Sequence, residues 1–205
     1  MADLFWERAC WKDGYSCVAG IDEAGRGALA GPIVAAAVIL KPGTRLAKRL
    51  SEIDDSKRLP ADVRNRLATY IRATALAWSV AEVSAAEIDT VGMARANRLC
   101  IERTIERLGT AAEILLIDAL TCEAELPQIG LIDGDALSTS IAAASILAKT
   151  ARDELMHQLH SEFTQYGFDR HVGYGTAYHL DALRQHGPCS HHRLSFAGVQ
   201  PSEPA

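Results

Sequence analysis

Two adjacent carboxylates, Asp22 and Glu23, separate an apolar stretch from a glycine-rich loop. The apolar stretch, residues 17–21, is typical of a buried strand. Two neighbouring like charges repel each other, and little besides Arg26 lies close enough along the chain to neutralise them. A divalent metal ion would supply the missing positive charge, and the glycines would let the backbone approach a ligand closely.

Further acids follow apolar stretches later in the chain. Asp118 ends the stretch 113–118, and Asp135 comes directly after Asp133 and Gly134. The carboxyl ends of parallel strands meet at one sheet edge, where ligands of α/β folds gather. Carboxylates suit Mg²⁺ and Mn²⁺, and two such ions can promote phosphodiester hydrolysis. Acid placement alone therefore indicates a metal-dependent phosphotransfer enzyme, although a lone Asp at a strand end is more often a turn or cap residue.

The elements that must position these acids alternate in type. Apolar stretches and helical spacing of apolar residues predict the following strands and helices. Strands are expected at 17–22, 33–40, 76–83, 113–118 and 129–132. Helices are expected at 62–73, at 138–160 and at 176–186, and two more in between: one that starts at a capping box at 84–87 and a longer one that follows it to about 108. With early strands pairing at a tight turn around 41–43, this order predicts an α/β fold with a mixed sheet flanked by helices.

Length and composition are ordinary for one globular domain, with 205 residues, 48% hydrophobic and 23% charged. No apolar run reaches the roughly 18 residues of a membrane span, and residues 1–15 lack a signal-peptide core. Five cysteines without a CxxC pair favour reduced thiols in a cytoplasmic protein. The net charge of −5 argues against a nucleic-acid partner, but basic residues can still line a groove beside a local metal site. Four histidines lack zinc-site spacing and are expected to be surface or polar packing groups: His171, His179, His191 and His192.

Segment 20–32, Gly-Ile-Asp-Glu-Ala-Gly-Arg-Gly-Ala-Leu-Ala-Gly-Pro, resembles the signature of the ribonuclease HII family. Other segments resemble further motifs of that family in the same order: 55–59, 116–118, 134–135, 141–149, 166–168, 171, 173–176 and 192–196. The resemblance covers about residues 17 to 197, and so many motifs in one order are far more specific than a single glycine-rich loop.

The resemblance implies a ribonuclease H-like fold, a mixed sheet flanked by helices with a helical C-terminal part from about residue 160. Residues 1–16 would form an N-terminal extension, 17–197 the catalytic domain and 198–205 a disordered tail. The implied activity is endonucleolytic cleavage of RNA in RNA–DNA hybrids and 5′ of single ribonucleotides in duplex DNA, leaving 3′-hydroxyl and 5′-phosphate ends. The expected partners are these nucleic acids, bound by a monomer, and the tail shows no clear clamp-binding motif for a protein partner.

Individual roles follow from the same resemblance. By motif match, Mg²⁺ or Mn²⁺ would be bound by four catalytic acids: Asp22, Glu23, Asp118 and Asp135. Substrate would be bound by seven further residues: Gly25, Arg26, Gly27, Lys57, Ser145, Lys149 and Tyr174. The loop would read the ribose 2′-hydroxyl, the tyrosine would stack on the next deoxyribose, and the lysines would contact phosphates. Each residue also has a plainer explanation: a tight turn for the loop, packing for the tyrosine and serine, and a solvated surface for the lysines.

Four positions depart from the family pattern. Ala28 stands in place of proline, Ala119 in place of glycine, and Asp133 and Val172 in place of lysines. These changes are expected to weaken substrate affinity or shift metal preference while the chemistry is retained. They also motivate an alternative from another class, a catalytically weak relative that binds RNA–DNA junctions. A nucleotide-binding α/β protein is disfavoured, because the loop at 25–27 matches neither GxGxxG nor a P-loop.

Overall fold

The structure is a computed structural model that describes residues 2–51, 59–119 and 121–200. Its centre is a mixed sheet whose five strands are Val18–Ala24 (β1), Ile33–Ile39 (β2), Ala77–Val83 (β3), Ile114–Asp118 (β4) and Gln128–Leu131 (β5). The strand order is β3-β2-β1-β4-β5. β1 pairs antiparallel with β2 and parallel with β4, while β3 and β5 form the edges. The predicted mixed α/β sheet is confirmed.

Helices surround the sheet: Phe5–Lys12 (α1), Leu46–Ser51 (α2), Ala61–Thr74 (α3), Ala85–Val91 (α4), Met93–Glu106 (α5), Gly134–Leu137 (α6), Thr139–Glu162 (α7), Phe168–His171 (α8) and Ala177–His186 (α9). α4 begins at the predicted capping box, in which the Ser84 hydroxyl accepts the Glu87 N–H and the Glu87 carboxylate accepts the Ser84 N–H. Within the described ranges, no helix combines the length and apolar character that crossing a membrane requires.

The two faces of the sheet are covered by different helices. α7 and α3 cover one face, where Leu67 and Ile71 of α3 pack beside the alanines of α7. α5 covers the other face through Cys100 and Ile101. α7 lies so close to β1 that a Cβ built on Gly20 would overlap the backbone at the start of the helix. The end of β1 and the first turns of α7 are therefore fixed relative to each other.

The strands on either side of residues 41–43, β2 and β3, pair antiparallel as expected, but the predicted tight turn does not connect them. After β2 the chain forms α2 and α3 before it returns as β3. The apolar residues of this connection, including Leu46 and Leu67, are buried in the core beside α7. They could not be buried in a short hairpin, because a hairpin turn would leave that face of the sheet uncovered.

The first helix, α1, was not predicted, and it is tied to the core by a buried acid. The Glu7 carboxylate is fully buried and accepts hydrogen bonds from the hydroxyls of Ser138 and Ser140, each at 2.7 Å. The Ser140 N–H donates to the same oxygen at 2.7 Å. The Asp3 carbonyl accepts the N–H of Thr139 at 2.9 Å. These bonds anchor the N-terminal residues to the start of α7.

The C-terminal part is helical, as predicted. It packs on the far end of α7 through a separate apolar cluster that includes Met156, Phe168 and Leu183. Its link to the β1–β2 loop includes the bond from Leu29 N–H to the Gly173 carbonyl, at 2.8 Å. The C-terminal part therefore lies beside the loop that follows the first two acids.

Candidate active site

A cleft of about 420 Å³ opens where β1 and β4 end. It is lined by every predicted site residue that the structure describes: Asp22, Glu23, Asp118, Asp135, Gly25, Arg26, Gly27, Ser145, Lys149 and Tyr174. The remaining predicted residue, Lys57, lies outside the described residues. Folding thus brings together residues that are spread over most of the chain.

Strand register explains how three of the acids meet. β1 and β4 run parallel, and their register pairs the residues that directly precede Asp22 and Asp118. The two acids therefore lie at the same level on neighbouring strands. Asp118 Oδ1 accepts the N–H of Gly134 at 2.6 Å. This bond brings the start of α6, and with it the buried Asp135, to the end of β4.

Burial perturbs the two acids of β1. Desolvation raises the pKa of Asp22 to about 8; the charges of Glu23 and Asp118 add to this effect, and the Ser145 hydroxyl opposes it. Desolvation also raises the pKa of Glu23, against a hydrogen bond from Asn97 Nδ2 to Glu23 Oε1 at 3.2 Å. The other oxygen, Glu23 Oε2, is buried without a hydrogen bond from any described residue. A cation in the cleft would stabilise both ionised carboxylates.

The chemistry of this donor set fits a hard divalent cation. All four acidic groups are carboxylates, which Mg²⁺ and Mn²⁺ prefer, and the unpaired oxygen of Glu23 is a free ligand atom. Among the residues described, no three His, Cys, Asp or Glu side chains are placed so that they could hold a metal ion as they stand. The four acids therefore share a cleft but not yet a common centre.

Two buried arginines donate hydrogen bonds to backbone carbonyls of the glycine-rich loop. Arg193 donates from Nη1 to the Arg26 carbonyl at 2.9 Å and from Nε to the Gly31 carbonyl at 3.1 Å. Arg152 donates to two further loop carbonyls, at 3.0 and 3.1 Å. Both side chains are fully buried, and burial lowers the pKa of Arg193 to about 10. These four bonds hold the loop in one conformation.

Gly25 and Ala28 shape the first turn of this loop. Gly25 has φ +92°, and a Cβ built there would overlap the guanidinium of Arg152. Only glycine therefore fits at this position, because both the backbone conformation and the neighbouring side chain exclude a larger residue. The Ala28 N–H donates to the Gly25 carbonyl at 3.3 Å, a bond that the proline usual at this position could not make.

Tyr174 presents a partly exposed ring on a tightly held backbone. The ring is 39% exposed, and its centre lies 5.5 Å from the Arg152 guanidinium. The Cys189 N–H donates to His192 Nδ1, so His192 Nε2 carries the proton and donates to His179 Nε2 at 3.0 Å. His179 Nδ1 is then left to donate to the Tyr174 carbonyl at 3.0 Å. Two neutral histidines therefore fix the backbone beneath the exposed ring.

These histidines are buried polar packing groups, one of the two roles expected for them. His171, His179 and His192 are all buried, and the rings of the first two stack at 4.5 Å. Desolvation lowers the pKa of all three, that of His192 to about 4. At neutral pH they therefore add hydrogen bonds to the C-terminal part without adding charge.

Sequence reasoning overlooked Arg64, which lines the same cleft. Arg64 Nη2 donates to Asp153 Oδ2 at 2.8 Å, and Lys149 Nζ donates to Asp153 Oδ1 at 2.7 Å. Arg64 also donates to the Leu59 carbonyl at 3.2 Å. Arg64 and the nearby Arg66 look alike in the sequence, and only the packing of α3 against α7 brings one of them to the cleft.

Three of the four departures from the family pattern share a strained backbone. Ala119, Asp133 and Val172 are the non-glycine residues with positive φ in the described chain, at 54°, 54° and 43°. This left-handed conformation favours glycine. Asp133 is exposed and does not line the cleft, so it does not add a fifth acid to the lining.

Known proteins are similar to this chain over most of its length. The family model described as Ribonuclease HII matches residues 19–199. A ribonuclease HII of Burkholderia mallei (strain SAVP1) is 50% identical over 184 residues, which cover 89% of this chain and 84% of that protein. The ribonuclease H2 structure from Pyrococcus horikoshii OT3 superposes with a TM-score of 0.74 at 23% identity, covering 89% and 94% of the two chains. The structure of Bst-RNase HIII in complex with Mn²⁺ gives a TM-score of 0.69 at 24% identity, covering 93% and 70%. At these identities, the two solved structures support the fold alone.

Proposed function

The chain belongs to the ribonuclease HII family, and from this premise we propose that it nicks duplex DNA on the 5′ side of single embedded ribonucleotides. Family membership makes it a ribonuclease H, a hydrolase that acts on RNA–DNA substrates. The proposal adds cleavage of the RNA strand of longer hybrids, with 3′-hydroxyl and 5′-phosphate ends. It also places the protein in the cytoplasm as a monomer.

The observation that carries the proposal is the set of four carboxylates in one cleft: Asp22, Glu23, Asp118 and Asp135. These residues would hold Mg²⁺ or Mn²⁺, the second of which is present in the Bst-RNase HIII structure. When bound, such an ion supplies Lewis-acid polarisation of the scissile phosphate. The raised pKa of Asp22 fits this role, because its carboxylate is poorly stabilised until a cation is present.

Ribose recognition is assigned to the loop that the two arginines hold. Gly27 lines the cleft, and a Cβ built there would meet nothing within 4 Å, so the space beside the backbone is open to a ligand. A sugar could approach the loop closely there, and its 2′-hydroxyl would hydrogen-bond to backbone groups. Because Arg26 and its neighbours are fixed by the buried arginines, little ordering is needed on binding.

Substrate placement is assigned to residues on the other walls of the cleft. The exposed ring of Tyr174 would stack on the sugar of the following deoxynucleotide. Lys149 and Arg64 would contact phosphates, since both line the cleft and keep donors beyond those given to Asp153. The Ser145 hydroxyl would orient Asp22, which it already stabilises as a carboxylate. Lys57, from outside the described residues, is proposed as a further phosphate contact.

The test is cleavage of a labelled DNA duplex that carries one ribonucleotide, with an all-DNA duplex as control, in Mg²⁺, Mn²⁺ or EDTA. We expect one nick 5′ of the ribonucleotide, which is absent with EDTA and absent in all-DNA. Asp22→Asn should abolish the nick, whereas Asp133→Asn should retain it, because that exposed acid does not line the cleft. Nicking by Asp22→Asn at the wild-type rate would exclude the proposed role of the acids.

One observation favours a second candidate function, binding of RNA–DNA junctions with weak catalysis. Ala119, directly after Asp118, has a φ of 54°, which strains the backbone at the end of β4. Retention of the ribonucleotide-containing duplex on a gel, without a cut in either metal, would establish this alternative.

A further inference from the structure

A second cavity, of about 410 Å³, lies between α3 and α7. We propose that this α3–α7 groove binds a backbone phosphate of the duplex that occupies the cleft, several nucleotides from the nick. The inference rests on the proposed function. Arg64 lines both the cleft and the groove, so the two cavities adjoin and one duplex can contact both.

The strongest donor in the groove is Arg72, near the end of α3. It forms no hydrogen bond or ion pair with any residue that the structure describes, and its Nε is buried without a partner. Its guanidinium lies over the Trp78 ring, with 5.4 Å between the guanidinium carbon and the ring centre. The stacking orders the side chain and leaves its N–H groups available, which suits the binding of a phosphate.

Thr150, on the α7 wall, supplies a second unused donor. Its buried hydroxyl has no hydrogen-bond partner among the described residues. In four threonines that lie past the first turn of their helix, Thr69, Thr74, Thr90 and Thr104, the hydroxyl donates to the carbonyl four residues earlier. Thr139, the first residue of α7, also lacks a partner, but it precedes the first full turn. Thr150 departs from this pattern, and its side chain lines the groove.

The acids of the groove do not prevent phosphate binding. Asp153 is bridged by Lys149 and Arg64, at 2.7 and 2.8 Å, so its charge is already neutralised. Glu154 is the other acid in the lining, and it is exposed to solvent, which screens its charge. The groove lining holds two arginines, Arg64 and Arg72, and two acids, and Lys149 adds a third cationic side chain from the cleft side by pairing with Asp153.

The spacing along α7 suits one continuous duplex. Lys149 borders the cleft and His157 lines the far part of the groove. At 1.5 Å per helical residue they lie roughly 12 Å apart, which is about three to four base-pair steps of 3.4 Å. A phosphate a few nucleotides from the cleaved bond is therefore within reach of Arg72.

The experiment combines variants with truncated substrates. Duplexes carry one ribonucleotide and either two long arms, or one arm cut to about two base pairs on the 5′ or the 3′ side. Affinity is measured by fluorescence anisotropy in EDTA, and nicking kinetics in Mg²⁺. We expect Arg72→Gln to weaken binding of the long duplex by about 3- to 10-fold, to lower its salt slope by about one, and to leave kcat unchanged.

Cutting one of the two arms should weaken duplex binding by the wild-type protein. The same cut should not weaken binding by Arg72→Gln any further, because both changes remove the same contact. Thr150→Val, which removes only the hydroxyl, should show the same insensitivity and decides the matter if Arg72→Gln fails to fold. Arg66→Gln is the matched control, because this α3 residue is 71% exposed, pairs with Asp62 and lines neither cavity.

The inference would be overturned if Arg72→Gln weakened the binding of long and truncated duplexes equally, or if its effect were no larger than that of Arg66→Gln. Either result would leave the proposed nicking activity intact. A wild-type protein that neither binds nor nicks the ribonucleotide-containing duplex would overturn both.

Discussion

Replacing Ala119 by glycine should stabilise the protein. Ala119 has a φ of 54° and an exposed methyl group, and its N–H donates to the Leu131 carbonyl at 2.9 Å, which holds the backbone in place. A left-handed backbone destabilises an L-residue by about 1–2 kcal/mol, whereas glycine adopts it freely. Glycine also gains freedom in the unfolded chain, which offsets about 0.4–1 kcal/mol of this. The free energy of unfolding should therefore rise by about 0.5–1 kcal/mol, and Tm by about 1–4 °C.

Thermal unfolding followed by circular dichroism in EDTA measures this change without metal effects. Ala75→Gly is the matched control, because Ala75 ends α3 with φ −60° and ψ 156°, an ordinary extended conformation. That variant gains freedom when unfolded without relief of strain, so its Tm should fall. The reasoning is refuted if Ala119→Gly lowers Tm as Ala75→Gly does. Nicking activity should persist in both variants, since neither removes a side chain of the cleft.

Other expectations follow from burial and charge. Gly25→Ala should lower the free energy of unfolding in urea by at least about 2 kcal/mol and abolish nicking, because the added Cβ would overlap Arg152. Gly43 also has a positive φ, +80°, but open space around it, so Gly43→Ala should destabilise the fold much less. Metal binding at pH 7 should release a proton from Asp22, because its pKa is raised to about 8, and metal affinity should therefore fall as the pH drops below 8. Calorimetry in two buffers that differ in ionisation enthalpy measures the proton release, and finding none would contradict this expectation. The pKa of His192 is lowered to about 4 in the folded protein, against about 6.5 in the unfolded chain. The free energy of unfolding should therefore be unaffected by His192 above pH 6.5 and decrease as the pH falls towards 4. An imidazole titration by NMR with a midpoint near 6.5 would disprove this.

The parts of the fold that could be predicted from sequence carry local signals. The apolar stretches that end at Asp22 and Asp118 are strands because such runs are buried and an acid marks the sheet edge. The capping box at Ser84 is complete within four residues. The family motifs are short segments scattered along the chain, and the residues they named line one cleft wherever the structure describes them.

The parts that could not be predicted depend on contacts between distant segments. Arg152 and Arg193 are charged residues that sequence patterns place at the surface, yet each is fully buried because carbonyls of the loop converge on it. Those bonds join residues 122 and 162 positions apart. The same limit applies to α1, where the buried Glu7 interrupts the apolar pattern and is satisfied only by serines far along the chain.

The bonds of Glu7 bear on the order in which the protein folds. They join residues 131 and 133 positions apart, and closing loops of that size costs chain entropy before any contact forms. We therefore expect α1 to dock late, after β1, β4 and α7 have assembled. A contact made after the rate-limiting step changes the unfolding rate and leaves the refolding rate nearly unaltered. The residues of α1 would thus be among the last to bind, and they would fix α7 in place once the cleft has formed.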